Sequence, residues 1–115
     1  MALTATDCDL DPALFVLNGK WTPLILHHLS LGTRRYGELR RAVEKATDKV
    51  LIQQLKDLQA DGIVERTDHK EKSPNVDYSL TPFGASLVVA MGSLIEWSNN
   101  HPEQSAHIRA RHKPR

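Results

Sequence analysis

Apolar residues recur at intervals of three and four positions through most of the chain, which is the spacing of one face of an α-helix. The first helix is predicted from Asp11-Pro12, a pair typical of helix starts, to about Leu17. Asn18-Gly19 break it, and a second helix is predicted from Lys20 to Leu31, ending at Gly32. We therefore expect the chain to begin with two short helices.

Two more helices are predicted after a turn at residues 32–35. The set Tyr36, Leu39 and Val43 predicts a third helix over residues 36–45. Thr47 is a candidate cap for a fourth helix, which ends at Asp61-Gly62. The buried stripe of this fourth helix is expected to be Leu51, Leu55 and Leu58. The opposite side then exposes a polar surface with two cations, made of Lys49, Gln53, Lys56 and Ala60.

The pattern changes to alternation after the fourth helix. Ile63–Asp68 and Val76–Leu80 alternate like two strands, and the charged residues 69–75 between them predict a hairpin with a charged tip. Thr81-Pro82 then opens a long apolar helix that ends near Asn99-Asn100. Residues 101–115 are expected to form a basic carboxyl-terminal tail, beyond a folded core at about residues 8–99.

This order of elements predicts a mostly helical α+β fold, a winged helix-turn-helix with a β-hairpin wing and a terminal helix at each end of the predicted core. In such a domain one helix fits the major groove of DNA and the hairpin tip reaches the neighbouring backbone. The alternative interpretation is a small α+β domain whose polar helix surface is only solvated. The whole chain, residues 1–115, is expected to be one domain.

The distribution of bases favours a DNA interface over the solvated surface, although the formal net charge is only +1. We expect base contacts from the start of the fourth helix, where glutamine can pair with adenine and lysine can donate to guanine: Lys49, Val50 and Gln53. Phosphate contacts are expected from bases in the turn, the two helices and the wing: Arg34, Arg35, Arg41, Lys56, Lys70 and Lys72.

Four segments together resemble the HxlR-type transcriptional regulators, which are MarR-like. They are Cys8 followed by Asn18-Gly19-Lys20-Trp21, the run Gly32-Thr33-Arg34-Arg35-Tyr36-Gly37-Glu38-Leu39, the run from Leu55 to Arg66, and Tyr78-Ser79-Leu80-Thr81-Pro82-Phe83-Gly84. Asn18 stands where the family has glycine, acids surround Cys8 where Cys-Pro is frequent, and Gln54 stands where arginine is common in the DNA-binding helix. The last departure bears on DNA affinity, and Gln54 is included among the expected DNA-contact residues.

The resemblance implies a homodimeric, sequence-specific DNA-binding regulator that recognises an inverted-repeat operator. Its terminal helices would form the dimer interface, for which this chain offers apolar residues in the first and the last predicted helix: Leu14, Phe15, Leu87, Val88, Met91, Leu94 and Ile95. The alternative is that these side chains only close the core of a monomer. A chain of 115 residues has little else for them to cover.

Cys8 is a candidate sensor, since family members with a cysteine at this place are often redox or electrophile sensors. The neighbouring Asp7, Asp9 and Asp11 oppose formation of the reactive thiolate by like-charge repulsion, so an unreactive thiol is the alternative. As the chain has one cysteine, sensing of a small-molecule oxidant or electrophile would require a Cys8 to Cys8 bridge between two chains or a mixed thiol adduct.

Other classes of protein receive little support. The six histidines form no metal-binding cluster, no nucleophile can be placed beside a base, and no glycine-rich loop fits a phosphate, so we expect no enzyme, metal or cofactor. No apolar run is long enough to span a membrane, and the acidic start differs from a signal peptide, so a cytoplasmic protein is expected. Two rivals stay open: a regulator controlled by a small ligand at the dimer interface, and a protein-interaction module that does not bind DNA.

Overall fold

A computed structural model describes residues 9–69 and 76–113 of the chain. The described helices are α1 (Asp11–Leu17), α2 (Thr22–Ser30), α3 (Tyr36–Ala42), α4 (Asp48–Ala60), α5 (Pro82–Asn99) and α6 (Pro102–Arg111). The described strands are β1 (Arg34–Arg35), β2 (Val64–Asp68) and β3 (Val76–Leu80), which form an antiparallel sheet in the order β1-β3-β2. The predicted α+β, mostly helical winged helix-turn-helix is confirmed.

The core lies between α2, α3, α4 and the sheet. Its largest fully buried side chains come from all of these elements and are Ile25, Leu26, Leu39, Val43, Leu51, Leu55, Leu58 and Ile63. Tyr78 of β3 and Met91 of α5 complete it from the other side. The stripe Leu51, Leu55, Leu58 predicted for the fourth helix is therefore the buried side of α4, which fixes the opposite side outward.

Two elements differ from the sequence prediction. The turn at residues 32–35 contains β1, in which Arg34 pairs with Tyr78 and Arg35 with Asp77. Two arginines give no alternating apolar signal, so this strand depends on the neighbouring β3 for its hydrogen bonds. The expected carboxyl-terminal tail forms the helix α6, which packs on α5 through the hydrogen bond from Ser105 Oγ to Ser98 O. It has no buried residue, which explains its weak apolar pattern.

The junction between the wing and α5 is closed by Thr81. Its hydroxyl oxygen accepts from Gly84 N at 3.0 Å, and its O–H group donates to Gly62 O at 2.6 Å, so one side chain caps α5 and holds the turn that follows α4. A Cβ at Gly84 would collide with the Ile63 carbonyl oxygen, which explains the glycine there. This contact fixes the start of the long helix against the segment that joins α4 to β2.

No helix within residues 9–69 and 76–113 combines the length and the apolar character needed to cross a membrane.

Candidate nucleic-acid interface

The exposed side of α4 is the centre of the candidate interface. Thr47 caps the helix by accepting from Val50 N at 3.2 Å, as its position in the sequence predicts. Lys49, Gln53 and Lys56 are exposed on the side away from the buried leucines, and Val50 is half-exposed at 37%. The structure thus brings these four predicted DNA-contact residues onto one helix surface, with Lys49 and Val50 in its first turn.

The first residue of α4, Asp48, is held by two side chains of α3. Tyr36 Oη donates to Asp48 Oδ1 at 2.6 Å, and Arg40 Nε donates to the same oxygen at 2.8 Å. Arg40 Nη1 also donates to Glu44 O in the turn between the helices, at 3.2 Å. These bonds connect both ends of α3 to the start of α4, so they fix the angle at which α4 is presented. Arg40 is therefore engaged by Asp48 and by the Glu44 carbonyl oxygen.

The contact between Tyr36 and Asp48 shifts their pKa values in opposite directions. Desolvation of the ring, followed by the hydrogen bond to Asp48, raises the pKa of Tyr36 to about 12. The hydrogen bond from Tyr36, and more weakly that from Arg40, lowers the pKa of the Asp48 carboxyl below its usual range. Asp48 is therefore ionised at neutral pH, and Arg40 offsets its charge beside the candidate DNA surface.

Gln53 is oriented by a neighbour on the same helix. Its Nε2 donates to Asp57 Oδ1 at 3.0 Å, one turn further along α4. The contact holds the amide on the exposed surface, while the amide oxygen makes no hydrogen bond to any other residue that the structure describes. A side chain held in this way can present its amide to a base edge with less loss of rotamer entropy.

Gln54, an expected DNA contact, lies on another side of α4 and faces α2. Its Oε1 accepts from Trp21 N at 3.1 Å and from Thr22 Oγ1 at 3.4 Å, so the amide faces the start of α2. A Cβ at Gly19 would collide with Thr22 Oγ1 and crowd Gln54, which explains the glycine before Lys20-Trp21. In this structure Gln54 connects α2 to α4.

The arginines around α3 fall into two groups. Arg34 contacts Glu38 at 3.7 Å and His28 O at 3.4 Å, and Arg35 lies 3.9 Å from Asp77 in the neighbouring strand. Arg41 is exposed and makes no ion pair with any residue in the described ranges. Arg41 is therefore free to bind a phosphate, whereas Arg34 and Arg35 would bind one while they also interact with Glu38 and Asp77. Lys70 and Lys72 lie outside the described residues.

A second surface, formed by α1 and α5, is apolar. Leu14 and Phe15 of α1 are 57% and 76% exposed, and Leu94 and Ile95 of α5 are 59% and 50% exposed. A groove of about 550 Å³ runs between the two helices, with Phe15, Val16, Phe83 and Leu87 among its lining residues and Asp9 and Asp61 as its charged ones. An apolar surface of this kind on a small domain marks a contact site.

Met91, which was expected in the dimer interface, does not lie on this surface. It is 5% exposed and belongs to the core of the protomer, because it lies on the side of α5 that packs on the domain. Leu87 and Val88 are partly buried against the same core. Sequence reasoning missed Phe83 and Trp97, which are 64% and 55% exposed.

A heptad-like spacing in the sequence of α5 could have identified Phe83 and Trp97 as part of this surface. Residues at alternating intervals of four and three lie on one helix stripe: Phe83, Leu87, Ala90, Leu94 and Trp97. This is the repeat of a seam between two packed helices. Cys8 lies outside the described residues.

A helix capped by threonine, exposed on its polar side, preceded by a supporting helix and followed by a β-hairpin, defines a winged helix-turn-helix protein. The chain belongs to the HxlR-like helix-turn-helix family, whose pattern matches residues 16–106. Proteins of this family are transcriptional regulators of the HxlR and MarR type, and the resemblance in the sequence is confirmed.

Three known proteins illustrate the similarity. YdeP of Bacillus subtilis strain 168, an HTH-type transcriptional regulator, is 32% identical over 106 residues, which cover 92% of this chain and 83% of YdeP. A MarR-family transcriptional regulator from Enterococcus faecalis V583 superposes with a TM-score of 0.78 at 36% identity, covering 93% of this chain and 96% of that one. The redox regulator HypR in its oxidized form gives a TM-score of 0.73 at 36% identity, covering 81% and 96%.

Proposed function

We propose that this protein is a homodimeric, sequence-specific DNA-binding transcription regulator that recognises an inverted repeat. The observation that carries the proposal is the exposed side of α4, where Lys49 and Gln53 are presented by a helix whose opposite side is locked into the core. In this arrangement α4 enters the major groove, and Lys49, Val50 and Gln53 contact base edges.

Phosphate contacts position the helix in this proposal. Lys56 lies beside the base-contacting residues, Arg41 comes from α3, and Arg34 and Arg35 come from β1 at the edge of the sheet. Lys70 and Lys72 extend the basic surface along the sequence of the wing. Such contacts set the register on the duplex and make binding dependent on salt.

The dimer in this proposal forms through α1 and α5. Phe83, Leu94 and Trp97 leave more than half of their side-chain surface exposed on one stripe, and burying each against a second copy contributes roughly 1.5–3 kcal/mol. A two-fold axis places the two α4 helices about 34–36 Å apart, one turn of duplex DNA. Such a regulator acts where the chromosome lies, which for a bacterial or archaeal protein is the cytoplasm.

The test is selection of bound sequences from a random duplex library with the full chain. The expected result is enrichment of an inverted repeat whose half-sites are about one helical turn apart. Recovery of no enriched sequence, together with no mobility shift at low salt, would contradict DNA binding and favour the protein-interaction alternative.

A redox response through Cys8 is a second part of the proposal. It is supported by the similarity to HypR, which is described as a redox regulator and is known in oxidized and reduced forms. The operator complex is treated with diamide or a quinone, beside the variant Cys8→Ser. Release of DNA by the parent protein alone supports sensing, and identical responses of both proteins remove Cys8 from the mechanism. A thermal-shift screen with quinones and aldehydes tests the ligand-controlled alternative.

A further inference from the structure

An acidic residue, Asp57, lies beside the basic side of α4. It is exposed, and the helical repeat places it about 80° around the helix from Lys49 and about 40° from Gln53. In the proposed complex a carboxylate at this place repels the phosphates of every duplex, whatever its sequence. Charge alone therefore does not account for an acid beside the candidate DNA surface.

The Asp57 carboxylate contacts the side chain of Gln53. Gln53 Nε2 donates to Asp57 Oδ1 at 3.0 Å. Helical side chains lean toward the amino end and residues four positions apart are neighbours, so Asp57 reaches back to the Gln53 amide. An ionised carboxylate only accepts hydrogen bonds, so the atom that faces it is the amide nitrogen and not the amide oxygen. Within residues 9–69 and 76–113, Asp57 makes no ion pair that competes with this contact.

This contact decides which end of the Gln53 amide is available to a base. With one Nε2 hydrogen donated to Asp57, Oε1 and the second Nε2 hydrogen stay available. An acceptor beside a donor matches adenine, which offers the N6 amino donor and the N7 acceptor in the major groove. A flipped amide would place Oε1 against the carboxylate, where two acceptors repel. It would also turn the Nε2 donors toward the groove, where they match the O6 and N7 acceptors of guanine.

We propose that Asp57 determines base specificity by acting through Gln53. Asp57 holds the amide in the orientation that reads adenine and disfavours the flipped orientation that reads guanine. It is a positioning residue that needs no contact with DNA. The contact strengthens when the duplex excludes water, since a hydrogen bond is electrostatically stronger in a low dielectric. The inference rests on the proposed function, in which Gln53 contacts a base edge.

The first experiment identifies the base pair that Gln53 reads. The operator selected from the random library is changed at one base pair of one half-site at a time, and the parent protein and Gln53→Ala are titrated with each duplex. At this base pair we expect the parent to bind adenine about tenfold more tightly than guanine, and Gln53→Ala to lose most of that preference. A preference for guanine there, or no base pair whose preference depends on Gln53, overturns the inference alone. Absence of binding to any duplex overturns the proposed function as well.

Variants of Asp57 separate positioning from charge and from folding. Asp57→Ala is expected to lower the preference for adenine over guanine about fivefold while it binds a scrambled duplex at least as tightly as the parent does. A misfolded helix would instead weaken both duplexes. Asp57→Asn, whose side-chain oxygen still accepts from Gln53 Nε2, is expected to retain more of the preference than Asp57→Ala. The matched control Glu44→Ala removes an exposed acid before α4 and leaves the preference unchanged. A preference unchanged in Asp57→Ala, or lowered equally by Glu44→Ala, overturns the inference.

Two further measurements test whether Asp57 acts through Gln53. In the Gln53→Ala background, Asp57→Ala is expected to cause no further loss of the preference for adenine, and a loss as large as in the parent background overturns the inference. In the DNA-free protein, nuclear magnetic resonance reports the contact directly. One of the two Gln53 Nε2 proton signals is expected downfield of its position in Asp57→Ala. Identical signals in the two proteins would show that the contact is absent in solution and overturn the inference.

Discussion

Two recesses of similar volume, about 550 Å³ each, differ in the sign of the charges that line them. The recess between α4 and the sheet has Lys56 and Arg66, and the groove between α1 and α5 has Asp9 and Asp61. Both have apolar walls, so hydrophobicity alone does not distinguish them. Charge does: the basic recess belongs to a surface that attracts phosphates, whereas the acidic groove repels them and favours another occupant, which we propose to be a second copy of the chain.

The comparison teaches that α4 and α5 differ in how much of their apolar surface one protomer can bury. α4 buries three leucines and exposes mostly polar side chains, with Val50 and Ile52 only 37% and 41% exposed, so most of its apolar surface is covered within one protomer. α5 buries Met91 and Gly84 but leaves large apolar side chains on a second stripe. A helix with two apolar sides requires a second partner to remove the exposed surface from water.

The largest expected effect follows from placing a charge on the α5 stripe. Leu94→Glu is expected to convert the dimer to monomer and to weaken operator binding at least a hundredfold, since one half-site remains per molecule. Val89→Glu is the matched control, because Val89 is 77% exposed and lies about 140° around the helix from Leu94. Light scattering measures the oligomeric state, and mobility shifts measure operator binding. A Leu94→Glu variant that stays dimeric and binds its operator would contradict the proposed dimer interface on α5.

The next effect concerns the base contacts of α4. Lys49→Ala and Gln53→Ala are each expected to weaken specific binding by about 1–3 kcal/mol and to change non-specific binding less. Arg109→Ala on α6 removes a cation away from α4 and serves as control. Titrations with the selected operator and with a scrambled duplex measure the ratio of specific to non-specific affinity. If all three variants bind both duplexes like the parent, another surface carries recognition.

A smaller and uniform effect is expected at Lys56. Lys56→Ala should weaken specific and scrambled duplexes alike and reduce the slope of log affinity against log salt by about one, because one phosphate contact releases fewer counterions. The combined change of Lys70 and Lys72 to alanine should lower the slope further. A slope equal to that of the parent in both variants would remove these lysines from the interface.

The smallest effect is a dependence of stability on pH. The pKa of Tyr36 is raised to about 12, so its contribution to stability is complete below pH 10 and is lost as the pH rises toward 12. Tyr36→Phe should abolish this alkaline loss. Denaturant midpoints measured across that range, with phenolate absorbance recorded in parallel, provide the test. The same pH dependence in parent and variant would show that the Tyr36–Asp48 contact is absent in solution.

The sequence by itself determined the order of the first five helices, the two wing strands and the outward side of α4. These features depend on local signals: the cap Thr47, the leucine spacing at 51, 55 and 58, and the alternation at 76–80. Caps and periodic apolar residues act within a few positions of the chain, so they can be recognised without knowing what the element packs against.

Only the tertiary structure decided which polar and apolar groups meet. β1 exists because β3 lies beside two arginines, Gln54 is turned toward α2, and Met91 is buried while Leu94 is exposed. The network of Tyr36, Arg40 and Asp48, and the recess below Arg66, likewise join residues from different elements. Such contacts depend on the angle and distance between elements, and these are set by packing of the whole core rather than by any local run of sequence.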